Sequence, residues 1–267
     1  MTEEAPLLED VRQWLEHGGY VLEMEVARKL LLRTNLVSQG ESYVDPSTDK
    51  EREIDVTAYL LRSDTDSDSE MRLHGLDLII ECKSTNAPWI CFVGPSTENG
   101  AWTASSFMDS EHCAVCERIE DVSWRIESGM MRAYAVTEKR AGNTVDHAYA
   151  SVRQAASALM ARYGGTTSDR GHDEATAVST LAVPIVVTTS PLVLCSLDDT
   201  GTVQLEQVER LSVLVANRAV PDDTDGIAIT VVTYSGLDAL LDDLAEAITD
   251  GSGEDEGAAG GGALDLK

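Results

Sequence analysis

Two acids and a lysine at the ends of apolar segments are the residues of this chain best placed to do chemistry. Glu81 and Lys83 close the stretch LDLIIECK, and Asp55 lies in the segment REIDV. Because alternate side chains of a strand share a face, Glu81 and Lys83 point the same way. A carboxylate and an ammonium there are costly to bury unless they pair or bind a ligand. The three residues predict divalent-metal hydrolysis of a phosphodiester, although Glu-x-Lys alone also fits a salt bridge at a sheet edge.

The expected metal ligands are the carboxylates of Asp55 and Glu81 and the backbone carbonyl of Cys82. If the strand with Asp55 pairs with LDLIIECK, the two carboxylates converge. Hard oxygen ligands of this kind favour magnesium or manganese. The metal would lower the pKa of a bound water, while Lys83 would hold the nucleophile or an oxygen of the transition state.

A third acid is expected from a helix that begins near Tyr20. At about 100° per residue, Glu23 points into an apolar stripe formed by Val26, Ala27, Leu30 and Leu31. Glu25 lies beside Arg28 and Lys29 instead. A carboxylate in a buried stripe needs a reason, whereas one beside two cations does not. We therefore choose Glu23 over Glu25, and a purely structural role for Glu23 as a cap or ion-pair partner stays open.

The elements that must position these residues follow from hydrophobic periodicity and turn signals. Helices are predicted at 7–17, 20–33, 146–163 and 237–248, and strands at 36–45, 52–61, 76–83, 181–195, 203–208 and 227–234. The near-continuous apolar content of 76–83 predicts a central strand covered on both faces. We interpret 1–250 as one domain in which 63–70 is an exposed acidic loop and 94–143 an insertion packed against the core. Residues 251–267 are expected to form a disordered acidic, Gly-rich tail.

The net charge of −27, with only five lysines, is unusual for a protein that approaches DNA. The composition is typical of a protein from a very salty cytoplasm. At about 1 M salt the Debye length is about 3 Å, so a local site can still bind a polyanion. The alternative is an acidic interaction protein that avoids nucleic acid.

The cysteines and the hydropathy bear on compartment and cofactor. Five cysteines without a signal sequence predict reduced thiols and a cytoplasmic location, and no apolar run reaches the roughly 18 residues of a membrane helix. His112, Cys113 and Cys116 could donate zinc ligands, but no second CxxC follows. Ordinary buried thiols are the favoured reading of these cysteines.

An ordered set of short motifs resembles a known family. The set comprises Gly19-Tyr20-x-x-Glu23, Ser42-Tyr43-Val44-Asp45, Arg52-Glu53-Ile54-Asp55 and Ile80-Glu81-Cys82-Lys83, followed by Pro88-Trp89. It resembles the PD-(D/E)xK superfamily of restriction-endonuclease-like nucleases over roughly residues 18 to 92. Beyond that range the resemblance is only topological, through the helix at 146–163 and the strand at 184–189. Two departures are Ile54 in place of the proline that names the motif, and the long gap between Asp55 and Glu81.

The resemblance implies an α/β fold, in which a mixed β-sheet flanked by α-helices forms a single domain with an insertion. It implies that Asp55 and Glu81 are metal ligands, Lys83 the catalytic lysine and Glu23 the helix acid. Gln154 corresponds to a polar residue that such nucleases often keep near the site. The implied activity is magnesium-dependent DNA cleavage that leaves a 5′-phosphate.

Two questions about the assembly and its activity stay open. The alternative to an endonuclease is a catalytically silent nucleic-acid-binding or assembly module of the same fold. A homodimer is also an option, since cutting both strands of a duplex favours two sites related by symmetry. The structure or sequence of the DNA substrate, and a choice between DNA and RNA, are not predicted.

Overall fold

Two mixed β-sheets and four helices make up the part of the chain described by the computed structural model, which covers residues 4–65, 71–94, 130–139, 146–163, 177–215 and 227–249. The helices are α1 (Glu4–Gly18), α2 (Tyr20–Leu31), α3 (His147–Tyr163) and α4 (Leu237–Thr249). The strands are β1 (Val37–Asp45), β2 (Lys50–Thr65), β3 (Met71–Lys83), β4 (Trp89–Phe92), β5 (Arg132–Ala133), β6 (Ala135–Glu138), β7 (Ala177–Thr188), β8 (Leu192–Leu197), β9 (Val203–Val208), β10 (Arg210–Val215) and β11 (Ile227–Thr233). The predicted α/β class with a mixed sheet flanked by helices is confirmed.

The larger sheet has seven strands in the order β1-β2-β3-β7-β11-β10-β5. Strands β1, β2 and β3 form an antiparallel meander, and β3 then pairs in parallel with β7. A second sheet of four strands has the order β6-β4-β8-β9, with β4 and β8 parallel. Strand β3 is therefore central in the larger sheet, as its continuous apolar sequence predicts.

The two faces of β3 belong to two separate apolar cores. Leu78 and Ile80 are buried on the face that packs against α2 and α4. Ile79 is buried on the opposite face, together with α3 and residues of the second sheet. The alternation that buries both sets also fixes Asp77 and Glu81 on the α3 face.

Two polar networks fasten α3 to the meander. At the C-terminal end of α3, Arg162 Nε donates to the fully buried Asp77 Oδ2 at 2.7 Å, Arg162 contacts Tyr59, and the Tyr163 hydroxyl also donates to Asp77. Asp77 Oδ1 is buried and receives no hydrogen bond from the described residues. The second network, centred on Asp45, takes up the turn between β1 and β2.

Asp45 is buried and serves as the acceptor that docks this turn on α3. Its Oδ1 accepts from the Ser47 N–H at 2.9 Å, the Ser47 hydroxyl at 2.7 Å and the Ser157 hydroxyl at 2.8 Å, while its Oδ2 accepts from Arg52 Nε at 2.7 Å. Ser157 lies on α3, so these bonds fix the β1–β2 hairpin beside the end of β3.

Several predicted boundaries are wrong in informative ways. The segment 181–195 is two strands, β7 and β8, which lie in different sheets and are separated by Thr189, Ser190 and Pro191. Strand β10 was not predicted. Strands β5 and β6, predicted to belong to an insertion, pair within the two sheets. Leu31, predicted to lie in the buried stripe of α2, is 57% exposed.

Other predictions fall on parts of the chain that the structure does not describe. The acidic loop is described only through Thr65, because β2 and β3 extend farther than predicted. Cys113, Cys116 and most of 94–143 lie outside the described residues, as does the tail 251–267. None of the described helices combines the length and apolar character that a membrane crossing requires.

Candidate functional site

A cleft of about 590 Å³ opens at the C-terminal end of β3. It lies where β3 passes between β2 on one side and β7 on the other. The titratable side chains that line it are Glu23, Asp55, Glu81, Lys83, Glu138 and His147. The structure therefore brings the four charged residues chosen from the sequence into one cleft, together with two that the sequence analysis missed.

Asp55 occupies the point at which β2 and β3 separate. The ladder between the strands ends at the pair Val56 and Ile80. Beyond it, the Asp55 side chain replaces the backbone partner, since its Oδ2 accepts from the Cys82 N–H at 2.7 Å. The separation of the strands gives the carboxylate room to lie between them.

The carbonyl of Cys82 is directed toward the same opening. Thr188 Oγ1 and Thr189 N–H donate to the carbonyl of Lys83 at 3.0 and 3.3 Å, so that carbonyl points toward β7. Successive carbonyls of a strand point to opposite sides, and the N–H and C=O of one residue point to the same side. The Cys82 carbonyl therefore points toward β2 and Asp55.

Glu81 is buried and is held by α3. Gln154 Nε2 donates to Glu81 Oε2 at 2.8 Å and also approaches the Glu53 carbonyl at 3.4 Å. Tyr43 lies close enough for the charge of Glu81 to raise its pKa, after burial, to about 12. Gln154, carried over from the resemblance, thus contacts a carboxylate of the cleft directly.

The carboxylates of the cleft hold their protons more tightly than usual. Burial raises the pKa of Glu81 well above its ordinary value, and the charge of Asp55 raises it further, while Lys83 acts in the opposite direction. Burial also raises the pKa of Asp55, against the hydrogen bond from Cys82. The cleft therefore carries more negative charge than its own cations offset, which is an environment that favours a bound cation.

Glu23, rather than Glu25, lines the cleft. Burial and the charges of Asp55 and Glu53 raise the pKa of Glu23 to about 7. Its helix begins directly after Gly19, whose φ of 86° lies in the left-handed region that favours glycine. That turn directs the first turn of α2 toward the end of β3.

Glu138 and His147 form the wall that the sequence analysis missed. Glu138, at the end of β6, is buried, and its Oε2 accepts from the His147 N–H at 3.3 Å. Asp146 caps α3 by accepting from the Tyr149 N–H at 3.1 Å and also accepts from the Glu138 N–H at 3.1 Å. The available signal was the acid that ends the alternating segment AVTE eight residues before a helix N-cap.

Hydroxyl groups hold the segment that follows Lys83. The Ser190 hydroxyl lies 2.5 Å from the Thr85 hydroxyl and donates to the Thr85 carbonyl at 2.9 Å, and the Thr189 hydroxyl donates to the same carbonyl at 3.1 Å. The indole N–H of the buried Trp89 reaches Thr85 Oγ1 at 3.4 Å. These bonds tie one wall of the cleft to the break between β7 and β8.

The donor set fits a hard cation in kind but is small. One oxygen each of Asp55 and Glu81 accepts a hydrogen bond, and neither of the other two oxygens receives one from the described residues. Within the described ranges, no three His, Cys, Asp or Glu side chains are grouped so that they could hold a metal ion. A metal here would depend on two carboxylates, the Cys82 carbonyl and water, which suits magnesium better than zinc.

Comparisons with protein-family models, with curated proteins and with solved structures found no match to this chain. The functional argument therefore depends on the geometry of the cleft.

Proposed function

We propose that this protein is a magnesium- or manganese-dependent endonuclease that hydrolyses DNA phosphodiester bonds in the cytoplasm, with a fold of the restriction-endonuclease type. The observation that supports it most is the meeting of Asp55, Glu81 and Lys83 where β2 and β3 separate. Two carboxylates with raised pKa values beside one lysine are suited to binding a divalent cation and a phosphate together.

Each residue of the cleft has a definite part in the proposed reaction. Asp55 and Glu81 would hold the cation, with the Cys82 carbonyl as a third ligand. When bound, the cation would lower the pKa of a water and offset charge on the phosphate. Lys83 would orient the attacking water or bind a phosphate oxygen as negative charge develops on it. Gln154 keeps Glu81 in position through its hydrogen bond.

Glu23 would contribute a proton-exchanging group near neutral pH. Its pKa of about 7 lets it be either protonated or ionised under ordinary conditions. A group with a pKa near the working pH is effective in proton transfer. Glu23 would take up a proton from the water that Lys83 orients.

The second candidate is a catalytically silent module that binds nucleic acid or organises an assembly. The small donor set favours it, because within the described residues no three acidic, histidine or cysteine side chains group around one point. This candidate needs no metal and leaves Lys83 to contact a phosphate alone.

Cleavage assays separate the two candidates. Supercoiled, linear, single-stranded and branched DNA would be incubated in high potassium chloride with magnesium or manganese. We expect metal-dependent cutting that Asp55→Ala and Lys83→Ala each reduce by about 100-fold or more. Lys50→Ala, an exposed lysine at the start of β2, is the control and should cut like the wild type.

Calorimetry with magnesium or manganese makes the assay decisive. If no substrate is cut and no cation binds to the wild-type protein, the nuclease proposal is wrong and the silent module replaces it. Binding that Asp55→Ala removes, without cutting, would show that the tested DNA forms are not the substrate.

A further inference from the structure

An amphipathic helix exposes its apolar side next to the cleft. On α1, the residues Leu7, Leu8, Val11 and Trp14 fall on one face at about 100° per residue. Their exposed fractions are 63%, 65%, 43% and 60%. A helix of a monomeric domain normally buries this face, and an exposed contiguous apolar patch marks an interaction surface.

The same apolar surface continues onto the outer side of α2. Tyr20, Met24 and Leu31 share that side and are 44%, 62% and 57% exposed. The rings of Trp14 and Tyr20 join the two helices, with centroids 5.2 Å apart. We call the α1–α2 surface the set Leu7, Leu8, Val11, Trp14, Tyr20, Met24 and Leu31.

We infer that the α1–α2 surface binds a second copy of this chain, with α1 of each copy packed on α2 of the other. Both helices start or end at Gly19, so a two-fold axis near Gly19 places residues at equal chain distances opposite each other. Trp14 lies five residues before Gly19 and Met24 five after it. Leu8 and Leu31 lie eleven before and twelve after, so apolar residues meet apolar residues along the contact.

Charge supports this pairing over other occupants. Asp10 lies nine residues before Gly19 and Arg28 nine residues after it, and both are exposed. Each acid of one copy would therefore face an arginine of the other, twice in the dimer. In a chain of net charge −27, such a pair at the rim selects one partner and one register against general repulsion.

The available area is sufficient for a stable dimer. Seven large apolar side chains, each with about half of its surface exposed, offer an area of the order of the ~800 Å² that each partner buries in a standard interface. The inference does not depend on the proposed chemistry, although Gly19 and Glu23 line the cleft and would bring two clefts near the contact.

Molar mass in solution tests the inference without any activity measurement. We expect light scattering after gel filtration to give twice 28.8 kDa for the full chain. Leu8→Glu and Met24→Glu should each give the monomer mass with an unchanged melting temperature, because both residues are exposed. Leu205→Glu is the matched control on β9, at 66% exposure against 65% for Leu8, and should remain a dimer.

A charge exchange tests the register. Asp10→Arg and Arg28→Asp should each raise the dimer dissociation constant about fivefold at 0.1 M salt. The double variant that carries both changes should restore it. The inference is overturned by a wild-type mass of 28.8 kDa at about 100 µM, by a dimeric Leu8→Glu variant, or by a double variant no tighter than the single ones.

Discussion

Gln154 donates from its amide to Glu81 Oε2 at 2.8 Å, and this bond joins the middle of α3 to the end of the central strand. Asp55 Oδ2 is held in the same way by the Cys82 N–H. Each carboxylate of the cleft is thus fixed through one oxygen and presents the other. The orientation of both groups is set before any ligand binds.

Removing the amide of Gln154 should loosen Glu81 without unfolding the protein. For Gln154→Ala we expect magnesium affinity and DNA cleavage to fall by about 10- to 100-fold, because partners that orient metal ligands carry effects of that size. Calorimetry and initial cleavage rates measure the two effects. Gln207→Ala, an exposed glutamine on β9, should match the wild type. An unchanged magnesium affinity in Gln154→Ala would refute the orienting role.

Ionisation of Glu23 should destabilise the protein in the absence of a divalent cation. The folded-state pKa of about 7 lies above the ordinary value of 4.5, so the folded state binds this proton more tightly than the unfolded state. Stability from this group is fully present below about pH 4.5 and is lost as the pH rises through 7. Glu23→Gln should therefore raise the melting temperature at pH 8 in chelator, but not at pH 4.

The expected gain at pH 8 is about 1 kcal/mol once solvent screening of this half-buried group is allowed for, or roughly 2–4 °C. Glu25→Gln removes a charge from the same helix outside the cleft and is the matched control. The assignment of Glu23 to the cleft fails if both variants shift the melting temperature equally at pH 8.

Arg162 should be far more important for stability than an arginine on the surface. Its partner Asp77 is completely buried, so Arg162→Ala would leave an uncompensated charge in the core. We expect a loss of about 3–5 kcal/mol in the free energy of unfolding. Arg210→Ala, which breaks an exposed pair with Asp243, should cost less than about 1 kcal/mol. Urea unfolding of the two variants makes the comparison, and equal losses would contradict it.

Asp45 should stabilise the fold at neutral pH and cease to do so in acid. Burial alone would raise its pKa, but hydrogen bonds from Ser47 and Ser157 outweigh burial and hold the pKa well below 3.8. That contribution is present above pH 3.8 and disappears as the pH falls through the lower folded-state value. Asp45→Asn should cost about 2 kcal/mol at pH 7 and clearly less at pH 2, as measured by urea unfolding. A cost that does not depend on pH would rule out this account.

The sequence predicted the residues of the cleft that lie on regular, strongly patterned elements. Alternation in LDLIIECK placed Glu81 and Lys83 on one face, and helical phase selected Glu23 over Glu25. Both inferences depend only on the local period of an element. The pairing of β2 with β3, which brings Asp55 to Cys82, was expected because a hairpin of adjacent strands is the simplest connection.

Glu138 and His147 could not be placed in the same way. They come from short elements after a weakly patterned stretch, and only the pairing of β6 with β4 brings them to the cleft. The second sheet was missed because 181–195 is uniformly apolar, so periodicity alone does not show a change of sheet. Burial of Leu31 was wrong because an apolar residue on a helix need not face its own core.

The wall of the cleft after Lys83 is fixed by neutral groups. Thr85, Thr189 and Ser190 exchange hydrogen bonds between hydroxyls and a carbonyl, and no ion pair takes part in those bonds. Salt weakens attraction between charges by screening but leaves hydrogen bonds between uncharged groups largely unaffected. The shape of this wall is therefore insensitive to ionic strength, so a change in potassium concentration would alter the attraction between the cleft and a polyanion while leaving the framework that positions Lys83 intact.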